Sequence, residues 1–222
     1  MDFIDYPDRA QWAAGAAEAI AADLEAALET QDRVTLAVPG GTTPGPVFDL
    51  LSAVPLDWAR VTVLPTDERQ VPEDSDRSNA RLIRERLVTG PASSAGFQPL
   101  WGEDAETVRE AVSALLPIDV LLLGMGADLH VASLFPGAEG LKAAFALDAP
   151  PVVEIRAAAA GEPRVSLSAE VLADARQVHL LIAGHDKRKA LQGLPQGGSA
   201  GAGALKAPVA LVLDRARIHW SE

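Results

Sequence analysis

Trp12, Ala16, Ile20, Leu24 and Leu28 recur every four residues in a run rich in alanine, leucine and glutamate. That spacing predicts a long amphipathic helix from about Pro7 to Glu29. A different pattern follows. VTLAV (34–38), VTVL (61–64), IDVLLLG (118–124) and QVHLLIAG (177–184) are short, nearly continuous apolar runs rich in β-branched residues, and each predicts a strand. Between them lie helix-like segments: TPGPVFDLL, SNARLIRERL, ETVREAVSALL and HDKRKALQGL. APVALVLD (207–214) reads as a last strand, EPRVSLS (162–168) as a short β-like run, and RIHW at the end is left unassigned.

Strands without polar alternation suit a sheet covered on both faces. The expected fold is therefore α/β: a three-layer α/β/α arrangement whose mostly parallel, Rossmann-like sheet carries helices on both faces. In such sheets ligands bind beyond the carboxyl ends of the strands, so the loops after Val38, Leu64, Leu123 and Ala183 should converge on one site. With 222 residues, nearly half of them hydrophobic, one domain spanning 1–222 is expected. QGGSAGAGA (196–204) reads as a surface loop rather than a linker, because only one strand-like segment follows it.

The net charge of −12 opposes nonspecific attraction to nucleic acid or to an anionic membrane. The absence of cysteine excludes disulfides, thiolate catalysis and cysteine metal sites. MDFIDYPDRAQW lacks the features of a secretory signal, and no run approaches the ~18 apolar residues of a spanning helix. A cytoplasmic protein is expected.

Each candidate for chemistry lies near one of the four loops. PGGTTPG (39–45), between a strand and a helix, lets the backbone of Gly40 and Gly41 approach a phosphate, with Thr42 and Thr43 adding hydroxyl donors; a plain capped turn is the alternative. Neither a Walker A spacing nor GxGxxG is present, so nucleotide binding is not supported. LPTDERQVPEDSDRSN (64–79) gathers Asp67, Glu68 and Arg69, able to bind sugar hydroxyls or to stabilise negative charge, or else forming a solvated loop; Ser78 suits an N-cap. LLLGMGADLHVASLFPG (121–137) presents Asp128 and His130, a histidine able to take a proton from water beside a carboxylate able to orient it. A structural histidine is the plainer reading. These two supply only two metal ligands and no HExxH motif occurs, so no metal is expected. Arg164 and Lys187 can complete a dianion pocket, whereas Arg188 and Lys189 read as surface cations and His185 can cap or line the site.

In order, GGTTP, DERQVP with the later SN, GMGADLHVASLFPG, PRVSLS and GHDKRKAL resemble the 6-phosphogluconolactonase family, within the group that includes glucosamine-6-phosphate deaminases. The resemblance runs from about Val34 to Leu213. It implies hydrolysis of 6-phosphoglucono-1,5-lactone to 6-phosphogluconate in the oxidative pentose phosphate pathway, with no organic cofactor. The expected partner is the phosphorylated sugar lactone, with no nucleic acid and no membrane, and a monomer or small homo-oligomer is expected. By motif position His130 looks like the water-activating base and Arg69 like the guanidinium near the lactone oxygen. The Gly40–Thr43 turn, Arg164 and Lys187 look like the phosphate pocket, and by the same resemblance Asp67 rather than Glu68 looks like a ligand.

Two positions depart from the family's usual Asp-Gly-His-Thr, which here reads Asp128-Leu129-His130-Val131. Leucine resists positive φ, so a loop built for glycine must be reshaped or strained here. A deaminase is the related alternative, but the glutamate that subgroup carries five positions after the histidine is Phe135 here. A noncatalytic sugar-phosphate sensor is the alternative of another class.

Overall fold

The computed structural model describes residues 1–102, 104–195 and 203–222. The first half runs β1 (Asp2–Asp5), α1 (Arg9–Thr30), β2 (Val34–Val38), α2 (Gly45–Leu51), β3 (Val61–Pro65), β4 (Asp67–Arg69), α3 (Asn79–Arg86), β5 (Gly96–Phe97) and α4 (Ala105–Ser113). The second runs β6 (Val120–Gly124), α5 (Leu141–Ala144), β7 (Val152–Ile155), β8 (Arg164–Leu167), α6 (Ala169–Asp174), β9 (Gln177–Ala183), α7 (His185–Gln192) and β10 (Ala216–Ser221).

Among the described residues seven strands form a wholly parallel sheet in the order β1-β10-β9-β6-β2-β3-β5. Its apolar strands bury both faces, and each face has its own core. Leu36, Val38 and Leu122 pack with Trp12, Ile20 and Leu24 of α1, Phe48 of α2 and Ile83 of α3. The alternate residues Ala37, Leu121 and Leu123 pack with Val112 of α4, Leu172 of α6 and Leu191 of α7. The expected three-layer architecture is present, and each fully buried leucine contributes about 2 kcal/mol of transfer free energy to it. A second sheet, β4-β8-β7, is antiparallel and joins the latter core through Val153, Ile155, Val165 and Leu167.

Strand order reverses between β2 and β6: β3 and β5 extend the sheet one way, and β9 and β10 the other. The loops leaving β2 and β6 diverge there and open a crevice.

Three expectations need correction. The expected strand at 207–214 is a 3₁₀ turn at Pro208–Leu211 followed by further turns. Val209 and Val212 are buried three apart, and Pro208 has no N–H to give a ladder. The true last strand is β10, containing the unassigned RIHW; its buried His219 disguised it, although that ring is bonded to Tyr6 and His179. Asp67–Arg69, read as part of a polar loop, is strand β4. Residues 196–202 of the expected surface loop lie outside the described residues.

Candidate active site

A cavity of about 350 Å³ opens at the strand-order reversal, large enough for a small phosphorylated ligand. All four anticipated loops reach it. Gly40, Gly41 and Thr43 line it after β2, Asp67, Arg69 and Asn79 after β3, His130 and Phe135 after β6, and Lys187 from the first turn of α7; Arg164 enters from β8.

In the loop after β2, a Cβ on Gly40 would collide with the Asn79 carboxamide, so only glycine permits this approach. Gly41 has φ +84°, which also favours glycine. Thr42 is exposed and does not line the cavity; its carbonyl closes the turn by accepting from Gly45 N at 3.3 Å.

Adjacent strand residues point to opposite faces, and this separates the two carboxylates. Asp67 lines the cavity and accepts from Ser133 Oγ at 2.5 Å. Glu68 turns the other way and accepts from the backbone N–H groups of Arg69, Asn79 and Ala80 at 2.7–2.8 Å and from Ser78 Oγ at 3.2 Å. It secures the start of α3 together with Ser78, whose hydroxyl accepts from Arg81 N as expected of an N-cap. Burial pushes the Glu68 carboxyl up, against the pull of those backbone donors.

Arg69 and Arg164 are register partners across β4 and β8. Arg69 donates through Nη1 to Arg77 O, and Arg164 through Nη2 to Ala160 O at 3.1 Å. Each keeps a buried Nε–H that meets no acceptor among the described residues. Burial, and then the charge of Arg69, push the Arg164 guanidinium down. Lys187 is likewise pushed down, by burial first and Arg9 second, and forms no ion pair among the described residues. A chain of net charge −12 thus collects three cations around one cavity, with Asp67 the only carboxylate in its lining among the described residues.

The loop after β6 folds back on itself: Gly126 N donates to His130 O at 3.0 Å and Leu129 N to Gly126 O at 3.1 Å. Asp128 Oδ1 faces both His130 N, at 3.3 Å, and His130 Nδ1, at 2.5 Å. A carboxylate only accepts, so the neutral ring carries its proton on Nδ1 and keeps a lone pair on Nε2. Asp128 does not itself line the cavity. The Phe135 ring lies 4.3 Å from the imidazole, centroid to centroid. Leu129 adopts φ +69°, the strained alternative anticipated for this position, while its carbonyl accepts from Val209 N at 3.0 Å. Val131 is fully buried in the core, so apolar packing anchors the loop at that position.

Asn79, Ser133 and Phe135, within the SN and SLFPG segments, are functional neighbours that residue type and loop position alone do not mark. A buried asparagine is visible only once the fold sets it against Gly40. His185 is exposed, pairs with Glu222 at 3.2 Å and does not line the cavity. Arg188, read as a surface cation, stacks on Phe3 and Trp220 and pairs with Asp5, fastening β1 to α7.

Fold and cavity define a class: a three-layer α/β/α protein with a cavity lined by three cationic side chains at the switch point of a parallel sheet. The family model for glucosamine-6-phosphate isomerases/6-phosphogluconolactonase matches residues 7–220, and the chain belongs to that family. A 6-phosphogluconolactonase of Mesorhizobium japonicum is 41% identical over 97% of this chain and 93% of that protein. One of Rhizobium meliloti is 37% identical over 92% of each. The crystal structure of a 6-phosphogluconolactonase from Shewanella baltica superposes with a TM-score of 0.92 at 30% identity, covering 100% of this chain and 98% of that one. No helix among the described residues is long and apolar enough to cross a membrane.

Proposed function

We propose that this chain, as one sugar-phosphate-hydrolase domain, hydrolyses 6-phospho-D-glucono-1,5-lactone to 6-phospho-D-gluconate, a step of the oxidative pentose phosphate pathway. The observation that carries the reading is His130, fixed by Asp128 on Nδ1 and facing the same cavity as Arg69. In this reading Nε2 takes a proton from a water as its oxygen attacks the lactone carbonyl, and Arg69 stabilises the developing oxyanion. Collapse of the tetrahedral intermediate breaks the ring C–O bond, and the imidazolium returns its proton to the leaving ring oxygen. Ionisation of the new carboxylic acid then releases a proton. The glycine-threonine turn, through Gly40, Gly41 and Thr43, together with Arg164 and Lys187, holds the phosphate, while Asp67 accepts from a sugar hydroxyl.

Phe135 favours the lactonase over the deaminase. An apolar ring packed at a tilt beside His130 supplies no second acid/base group there. We infer a cytoplasmic site of action, since a phosphorylated sugar does not cross a bilayer unaided, and a monomer or small homo-oligomer.

The test follows freshly generated lactone at neutral pH, corrected for spontaneous opening. Wild-type protein accelerates it, and His130→Ala loses about 100-fold or more in turnover with little change in KM. Ammonia release from glucosamine 6-phosphate, without lactone hydrolysis, would sink the proposal.

A further inference from the structure

Asp67 and Arg164 are both buried and of opposite charge, yet Asp67 Oδ2 stands 3.7 Å from Arg164 Nη1. A free carboxylate–guanidinium pair closes to about 2.7–2.9 Å, usually through two parallel N–H···O bonds. Here Oδ2 is taken by the hydroxyl of Ser133, at 2.5 Å. The other oxygen, Oδ1, has only 3.5 Å contacts, from Thr66 Oγ1 and Asn79 Nδ2.

Ser133 is fully buried and does not line the cavity. Two features aim it at Asp67. Val131 and Leu134, both fully buried, close a tight turn through a 3.0 Å bond from Leu134 N to Val131 O, and Ala132 within it adopts φ +49°. A left-handed alanine is strained and persists only where its surroundings impose it. From the other side Ser166 Oγ, on the register partner of Asp67, accepts from Ser133 N at 3.3 Å.

We propose that Ser133 is a positioning residue that holds Asp67 off Arg164 and so keeps the guanidinium available to the substrate's phosphate. This rests on the reading of Arg164 as a phosphate ligand. Without the hydroxyl the carboxylate turns onto Arg164, closes the ion pair and competes with the incoming anion. The joint also ties the loop bearing His130 to the small sheet bearing both arginines, so one contact sets both halves of the site.

Titration calorimetry on the full chain, with inorganic phosphate and with 6-phosphogluconate as probes, tests this. Arg164→Ala must weaken phosphate binding; if it does not, the reading of Arg164 fails and takes this proposal with it. Given that loss, Ser133→Ala is expected to weaken phosphate about tenfold, the low end for one charge-assisted hydrogen bond. Adding Asp67→Asn to Ser133→Ala restores phosphate affinity, because no carboxylate is left to close on Arg164. A loop merely loosened by the substitution would not recover in this way. Ser133→Cys, of nearly the same volume with a weak donor, serves if the alanine variant does not fold, and falls between the two. Unchanged phosphate affinity in the Ser133 variants, or a double variant as weak as Ser133→Ala, overturns the proposal.

Discussion

Arg69 and Arg164 stand directly opposite one another in the antiparallel ladder between β4 and β8. Like charges so placed oppose folding, and Arg164 is buried as well. Under the proposed function, a pair that costs stability while lining the cavity serves the substrate's negative charge. Arg69→Met, which keeps the stem and removes the charge, is therefore expected to leave the thermal midpoint unchanged or raised while lowering kcat by about 100-fold. Lower stability with intact turnover would assign Arg69 to the fold instead.

Gly126 lies under the imidazole that the proposed mechanism needs. A Cβ there would run into both the His130 ring and Asp128 Oδ1, the carboxylate oxygen that holds the ring, so ring and holder would be displaced together. Gly126→Ala should reduce kcat by about 100-fold, since displacement by about 1 Å removes much of the benefit of orientation. The affinity for inorganic phosphate should stay the same. Steady-state kinetics beside a phosphate titration check this, and equal losses in both would place the damage elsewhere.

The sheet was legible in the sequence because strands buried on both faces must be apolar throughout, as in β2 and β6. Edge and accessory strands carry no such signature. β1 reads DFID and β4 reads DER, and neither is apolar enough to register. β10 hid behind His219, whose burial depends on Tyr6 and His179, more than 200 and exactly 40 positions away in the chain respectively. For the site, loop position and residue chemistry marked His130, Arg69 and Lys187, while the different fates of Asp67 and Glu68 rest on strand pleat and on the start of α3. The departure at Leu129 was legible as well, and the structure retains it as a positive φ whose carbonyl is tied to Val209.

Glu68 offers a direct measure of that second carboxylate. Three backbone N–H groups and the Ser78 hydroxyl end on it in a buried setting. Glu68→Ala leaves those donors without a partner and should cost about 2–4 kcal/mol in urea denaturation. Gly40 packs on Asn79, the first residue of α3, so phosphate affinity should fall too. A loss below about 0.5 kcal/mol, the range of ordinary surface substitutions, would show that Glu68 does not secure the helix.

Beneath the opposite core, α1 covers a buried polar chain that fixes the response of the fold to acid. Asp23 Oδ2 lies 2.9 Å from His179 Nε2, His179 Nδ1 lies 2.9 Å from His219 Nε2, and His219 Nδ1 lies 2.9 Å from Tyr6 Oη. The carboxylate can only accept, so every proton points one way: Tyr6 donates to His219, His219 to His179, and His179 to Asp23. Both rings are then neutral; Arg217 pairs with Asp23, and although its Nη2 also lies 3.2 Å from His179 Nε2, that nitrogen already carries the proton given to Asp23 and cannot accept a second one. Burial pushes His179 down to about 4, and burial with the charges of His179 and Arg217 pushes His219 down to about 3. In the unfolded chain both titrate near 6.5, so between that value and the folded ones the unfolded state binds protons that the fold refuses. Stability is therefore full above about pH 6.5 and declines as pH falls through 4, by about 3 kcal/mol for His179 alone at about 1.4 kcal/mol per unit. Glu68, whose pKa is raised, works in the opposite direction just above its ordinary 4.5 and offsets only part of this. Urea midpoints measured from pH 7 to 4 should fall steadily in the wild-type chain, and a His179→Gln, His219→Gln double variant should show a flatter profile. Equal slopes in the two proteins would mean that the acid response arises outside this chain of hydrogen bonds.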